Sequence, residues 1–181
     1  MQQSFGTPAT PAPSASQMTL RFFDGPLALD WMHCGASAKY IGEHYAGLAE
    51  GHGLDPVDAG HSINYLVNEL MENAVKFRAP GTVELEASLL DGSFTLRLSN
   101  FIGADTAAKF KVLLEEITSR DAGDLMIERI EANAADPDSG GSGLGILTLM
   151  SDYGVQLSWT FLPQDTGQEV RLETHAALAL A

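Results

Sequence analysis

In the segment NELMENAVKF, residues 68–77, Glu69 and Asn73 stand four residues apart and Lys76 follows three later. On a helix that spacing puts the side chains on one face. There a carboxylate can accept a proton or orient a hydroxyl, and the amide oxygen of Asn73 is a neutral ligand for magnesium. Magnesium keeps waters and takes phosphate oxygens, so one protein ligand suffices. Lys76 adds positive charge of the kind phosphates attract. The same stretch with Glu72 also describes a solvated helix edge carrying a Glu72–Lys76 ion pair, and spacing alone does not separate the two readings.

A second candidate is Gly140-Gly141-Ser142-Gly143-Leu144-Gly145, followed by the apolar run Ile146-Leu147-Thr148-Leu149-Met150. Glycines let backbone N–H groups converge on phosphate oxygens, and the start of a following helix adds its positive dipole end. A loop of small residues after a helix fits the run equally well. It lacks the Lys-Ser/Thr ending of a Walker loop, and it follows a helix instead of the first strand of a dinucleotide-binding unit.

The elements that must hold these residues can be read from periodicity. Asp55-Pro56 caps a helix running to Phe77, with Ile63, Leu66, Val67, Leu70, Ala74 and Phe77 on its core face and Glu69, Glu72, Asn73 and Lys76 along the adjacent stripe. Arg78-Ala79-Pro80-Gly81 stops it. Val83, Leu85, Ala87 and Leu89 alternate along one strand, Phe94, Leu96 and Leu98 along the next, and Asp91-Gly92 joins them as a two-residue hairpin. Earlier, TLRFF from Thr19 is strand-like, and residues 27–48 read as a helix whose Trp31, Met32, Tyr40 and Tyr45 are expected in the core. Helical stretches are expected at 109–117, 125–134 and 146–153. Two strands follow, one with Val155, Leu157, Trp159 and Phe161 on a face, the other at 168–174. This order predicts an α/β two-layer sandwich, helices on one face of a mixed, mostly antiparallel sheet. Residues 1–18, rich in Pro, Ala, Ser and Thr, read as a disordered tail before a single domain at 19–181.

Composition narrows the function classes. Ten Lys and Arg stand against 24 Asp and Glu, a formal charge of -14 that disfavours nucleic acid and anionic membranes as partners. The single cysteine, Cys34, can form neither an internal disulfide nor a thiolate metal site by itself. With no run of apolar residues long enough to span a bilayer and no secretory start, a cytoplasmic location is expected.

Taken in order, NELMENAVKF at 68–77, FTLRLSN ending at Asn100 and GGSGLGILTLM at 140–150 resemble the histidine-kinase-like ATPase superfamily, whose N box, adenine-binding strand end and glycine box follow the same sequence. With ERIEAN at 128–133, SGLGILTLMSDYG at 142–154, Trp159, Trp31 and SAKYIGEHY, the chain looks more closely like the Sia-type bacterial protein kinases and related regulators. The resemblance implies the histidine-kinase-like ATPase (Bergerat) fold, ATP and Mg2+ as cofactors, Glu69 as general base and Asn73 as magnesium ligand. It also implies Gly141, Gly143 and Gly145 as the phosphate loop with Ser142, Leu144 and Thr148 beside it, and Lys76 and Asn100 as further nucleotide contacts. Residues 103–139 take the place of that family's lid, with a structural or partner-binding helix pair as the alternative. Asn100 stands where most of the superfamily has Asp, and Phe101-Ile102-Gly103-Ala104 replaces the Gly-x-Gly that follows it.

What the resemblance implies functionally is a cytoplasmic Ser/Thr protein kinase acting on a small partner protein in a bacterial regulatory switch. The alternative is a non-catalytic, partner-binding switch on the same scaffold. A phosphoaccepting histidine is not expected, because His33, His44, His52, His61 and His175 lack a dimerising helical context. A homodimer is permitted and not specified.

Overall fold

The computed structural model describes residues 2–7, 16–23, 30–135, 143–164 and 168–180. One six-stranded sheet carries five helices. In chain order the strands are β1 (Gln3–Gly6), β2 (Met18–Phe22), β3 (Val83–Leu90), β4 (Ser93–Gly103), β5 (Gln156–Pro163) and β6 (Glu169–Ala179). The helices are α1 (Trp31–Gly51), α2 (Pro56–Phe77), α3 (Ala104–Ser119), α4 (Ala122–Ala135) and α5 (Leu144–Ser151). The strand order is β1-β5-β6-β4-β3-β2, and every neighbouring pair is antiparallel, so the sheet is not mixed.

Local chemistry accounts for most boundaries. Asp55 Oδ1 accepts from the N–H groups of Val57 at 2.8 Å and Asp58 at 3.1 Å, with Pro56 filling the first helical position of α2; such a cap contributes about 1 kcal/mol. The β3–β4 hairpin turns through Asp91 (φ 49°) and Gly92 (φ 75°), the backbone that a two-residue loop with the right twist requires. At α1, Asp30 accepts from the backbone N–H of Met32 and the His33 ring accepts from that of Asp30, which starts the helix at Trp31.

The core lies between the sheet and the helix layer. Leu85, Leu98 and Trp159 stand in one row across β3, β4 and β5, and Ala87, Leu96, Ala176 and Leu157 in the next; all are buried. Ile63, Leu66, Val67, Leu70 and Ala74 of α2 cover them. Tyr45 of α1 reaches the sheet, its hydroxyl 2.7 Å from the Ala87 carbonyl and 2.8 Å from that of Ser16, its ring edge-on to Phe94. The sheet's other face is polar: Arg97 bridges Glu84, Glu86 and Glu173 from neighbouring strands.

Four further expectations change. Residues 3–6, expected within a disordered tail, form β1, held by pairing with β5 and by Phe5 packing edge-on to Phe161. β4 does not end near Asn100 but continues to Gly103, because β6 pairs with it through Val170 and Glu169. Phe77, the last residue of α2, is 42 % exposed, with Lys76 Nζ over its ring. Met32 and Tyr40 face solvent while Tyr45 is buried; the side chain of Trp31 lies outside the described part of the structure. No helix among the described residues is long and apolar enough to cross a membrane.

Candidate functional site

The apolar stripe of α2 turns toward the sheet, and that orientation decides where its polar neighbours go. Glu69, Asn73 and Lys76 face a cleft of about 1140 Å³, close to the upper end of the roughly 300–1,000 Å³ usual for small-molecule sites. Its walls are α2, the buried strands β4, β5 and β6, α3, and the first residues of α5. Asn100, Gly143, Leu144 and Gly145 line it too, so one cleft gathers seven of the residues singled out from the sequence. Gly141 and Ser142 lie outside the described residues. Thr148 does not line the cleft; its hydroxyl is directed at the Met126 sulfur, 3.8 Å away, between α5 and α4.

Glu69 is half-buried and its carboxyl is held above the ordinary glutamate range, first by burial and then by the neighbouring charge of Glu72. A group poised that way accepts a proton more readily than a solvated carboxylate. Glu72 itself accepts a hydrogen bond from Asn68 Nδ2 at 2.8 Å, and Lys76 Nζ lies over the Phe77 ring, 5.1 Å from its centroid. The Glu72–Lys76 ion pair of a plain solvated edge is therefore not among those formed by the described residues. Asn73 has no hydrogen-bond partner for its side chain among them, which leaves its amide oxygen available in the cleft.

Asn100 is almost fully buried on β4. A carbonyl can only accept, so the amide nitrogen is the atom facing Phe101 O, at 3.3 Å. Its Oδ1 is left without a partner among the described residues, an acceptor in the wall of the cleft. The same Phe101 carbonyl takes the N–H of Ala79 at 2.7 Å, tying the segment after α2 to β4.

At the opposite end Gly143 caps α5 with φ 98°, a left-handed conformation that glycine adopts without strain. A side chain there would also run into the Arg129 guanidinium of α4. The first N–H groups of α5 have no acceptor within the helix, the arrangement that suits an anion. Tyr65 and Tyr153 stack 5.0 Å apart and hold α5 against α2.

The segment expected as a lid forms α3 and α4 over its described part. Thr106, Lys109, Phe110 and Leu113 of α3 make one wall of the cleft, and Arg129 of α4 pairs with Glu116 of α3 at 2.7 Å. Charges at the cleft balance: Asp30, Glu69 and Glu72 against Lys76, Arg78 and Lys109. Lys109, Phe110, Trp159 and the buried Thr174 escaped the sequence reading as site residues. Each sits in an ordinary helical or alternating pattern, and only the folding of α3 over β5 and β6 makes them neighbours of Glu69 and Asn100. No group of three or more His, Cys, Asp or Glu side chains that could hold a metal ion occurs among the described residues.

No protein-family model matches the chain, and no curated protein matches it in sequence. Among solved structures, it is similar in fold to a chain of the SiaB-SiaC complex from Pseudomonas aeruginosa, with a TM-score of 0.63, 13 % identity and 89 % of each chain covered.

Proposed function

We propose that the protein is a Mg-ATP-dependent Ser/Thr protein kinase that phosphorylates a small partner protein in a bacterial regulatory switch. The observation that carries this reading is the convergence on one cleft of a proton-accepting Glu69, an unpartnered Asn73 one turn along and the glycine turn Gly143-Leu144-Gly145. The SiaB-SiaC neighbour, a complex between two proteins, supports a role directed at a protein partner.

In this reading the Asn100 Oδ1 accepts a hydrogen bond from the base, Lys76 and Lys109 offset phosphate charge, and the amides at the head of α5 bind phosphate oxygens. Asn73 would hold magnesium together with phosphate oxygens, and the ion would supply charge neutralisation. Glu69 takes the proton of the partner's hydroxyl as that oxygen bonds to the γ-phosphorus and the bond to the bridging β–γ oxygen breaks, releasing ADP.

A non-catalytic switch is the second reading. Its support is the unbroken β4: residues 101–103, where the resemblance leads one to expect a glycine turn, are paired strand, which gives the base end of the cleft a flat wall. Calorimetry with Mg-ATP on the wild type and on Asn73→Ala tests the first reading; no binding by the wild type at millimolar nucleotide would refute it. With binding established, labelled ATP and a candidate partner beside a Glu69→Ala control separate transfer from sequestration.

A further inference from the structure

Glu69 belongs to α2 and Gly145 to the first turn of α5, yet the two are pressed together. A Cβ built on Gly145 would collide with Glu69 Oε2 and stand 2.9 Å from Glu69 Cδ and 3.6 Å from Cγ. The carboxylate thus occupies the space that any other residue at 145 would claim. Glu69 has no hydrogen bond to another described residue, so no donor fixes its position. What lies against it is the bare Cα of Gly145. The backbone at Gly145 is ordinary helix without a positive φ, so conformation does not demand glycine there. Room for the carboxylate is what demands it.

We propose that Gly145 is a positioning residue for Glu69, its missing side chain allowing the carboxylate to sit at the head of α5 inside the cleft. The catalytic consequence rests on the kinase reading; the seating of the carboxylate does not. Because the colliding atoms are the far end of a flexible side chain, alanine at 145 moves the carboxylate and leaves the fold in place. Glu69 then swings toward solvent, away from the hydroxyl it must deprotonate, while the amides that hold phosphate stay put. A glycine kept only for phosphate contact predicts the opposite division, with nucleotide affinity lost first.

The test is Gly145→Ala made in the wild type and in a Glu69→Ala background. In the nucleotide-free protein, carbon-13 NMR of the Glu69 carboxyl is expected to show its pKa falling toward that of an ordinary glutamate. Alanine is the better helix former, so the melting temperature is expected to rise more in the Glu69→Ala background, where no carboxylate must be displaced, than in the wild type. Transfer is expected to fall by about tenfold or more while the Kd for Mg-ATP changes by less than about threefold. An unchanged Glu69 titration with equal melting shifts in both backgrounds overturns the seating. A displaced carboxylate with undiminished transfer overturns the positioning role. If the wild type binds no Mg-ATP, the kinase reading and the catalytic role fall together, and the NMR and melting comparison still decides whether Gly145 seats Glu69.

Discussion

The amide nitrogen of Asn100 donates to the carbonyl of Phe101, its own neighbour on β4, which leaves the Asn100 oxygen without a partner among the described residues in the wall of the cleft. An acceptor so placed suits an exocyclic amine. Asn100→Ala is expected to weaken Mg-ATP binding by about tenfold, the worth of one hydrogen bond. The fold survives because Ala79 N–H still serves the Phe101 carbonyl. Calorimetry of wild type and variant, with melting curves as control, reads both effects; an unchanged Kd means the base binds elsewhere.

The Asn73 side chain has no hydrogen-bond partner among the described residues, and on the proposed reading its oxygen is the one that would hold magnesium. Asn73→Ala is therefore expected to lose the magnesium-dependent part of nucleotide affinity, about tenfold, and to match the wild type when EDTA is present. Equal losses with and without the metal would assign Asn73 to direct nucleotide contact.

On the polar face of the sheet, Arg97 Nη2 lies 2.7 Å from Glu86 and 3.4 Å from Glu84, with Nη1 3.3 Å from Glu173. Arg97→Met leaves three carboxylates on adjoining strands without the cation between them, and a loss of about 1–3 kcal/mol is expected in urea unfolding. The hydrogen bond from Arg97 holds the Glu86 carboxyl below its ordinary range. That contribution is present above pH 4.5 and lost as pH falls through the lowered value. The variant instead gains relief when its carboxylates protonate, so the gap between the two proteins closes as pH falls from 4.5 through the lowered value. A gap independent of pH would show that packing, not charge, is what Arg97 supplies.

Two groups on α1 contribute to the pH dependence on the alkaline side. Burial pushes the Cys34 thiol up from 9.0 to about 11 and the Tyr45 hydroxyl up from 10.0 to about 12. Both folded-state values lie above the unfolded ones, so the stability they carry is whole below pH 9 and is lost as pH rises through 11 and 12. Urea unfolding at pH 8, 10 and 11.5 is expected to show a steady fall that Tyr45→Phe and Cys34→Ala together flatten. At pH 8 Tyr45→Phe alone costs about 1–2 kcal/mol for the hydrogen bond it removes. A double variant with an undiminished alkaline slope would place the titrating groups elsewhere.

Much of the fold was legible because its signals are local. The Asp55-Pro56 cap, the Asp91-Gly92 turn and the alternation of β3 to β5 each involve neighbouring residues, and the structure has all of them. β1 was not legible. Gln3–Gly6 is too short and polar to declare itself and becomes a strand only because β5 offers an edge far along the chain. Phe77, Met32 and Tyr40 failed for a related reason: a large apolar side chain marks a candidate for the core, but which face of its helix packs on the sheet is set by the tertiary fold. In the site, Glu69, Asn73 and the glycine turn stood out as residue types at meaningful spacing. Thr174, Phe110 and Trp159 did not, since their part is to line a cleft that exists only after α3 packs over the sheet.

By itself, then, the sequence determined the elements and the chemical inventory: a helix carrying Glu69 and Asn73 one turn apart, a glycine turn before α5, and Asn100 on a strand. Tertiary structure alone decided that these three meet in one cleft and that Glu69 rests against Gly145. The division is physical. Helix faces, caps and turns follow from interactions within a few residues, whereas the approach of a carboxylate to a distant Cα depends on how whole helices pack on the sheet, which no local pattern encodes.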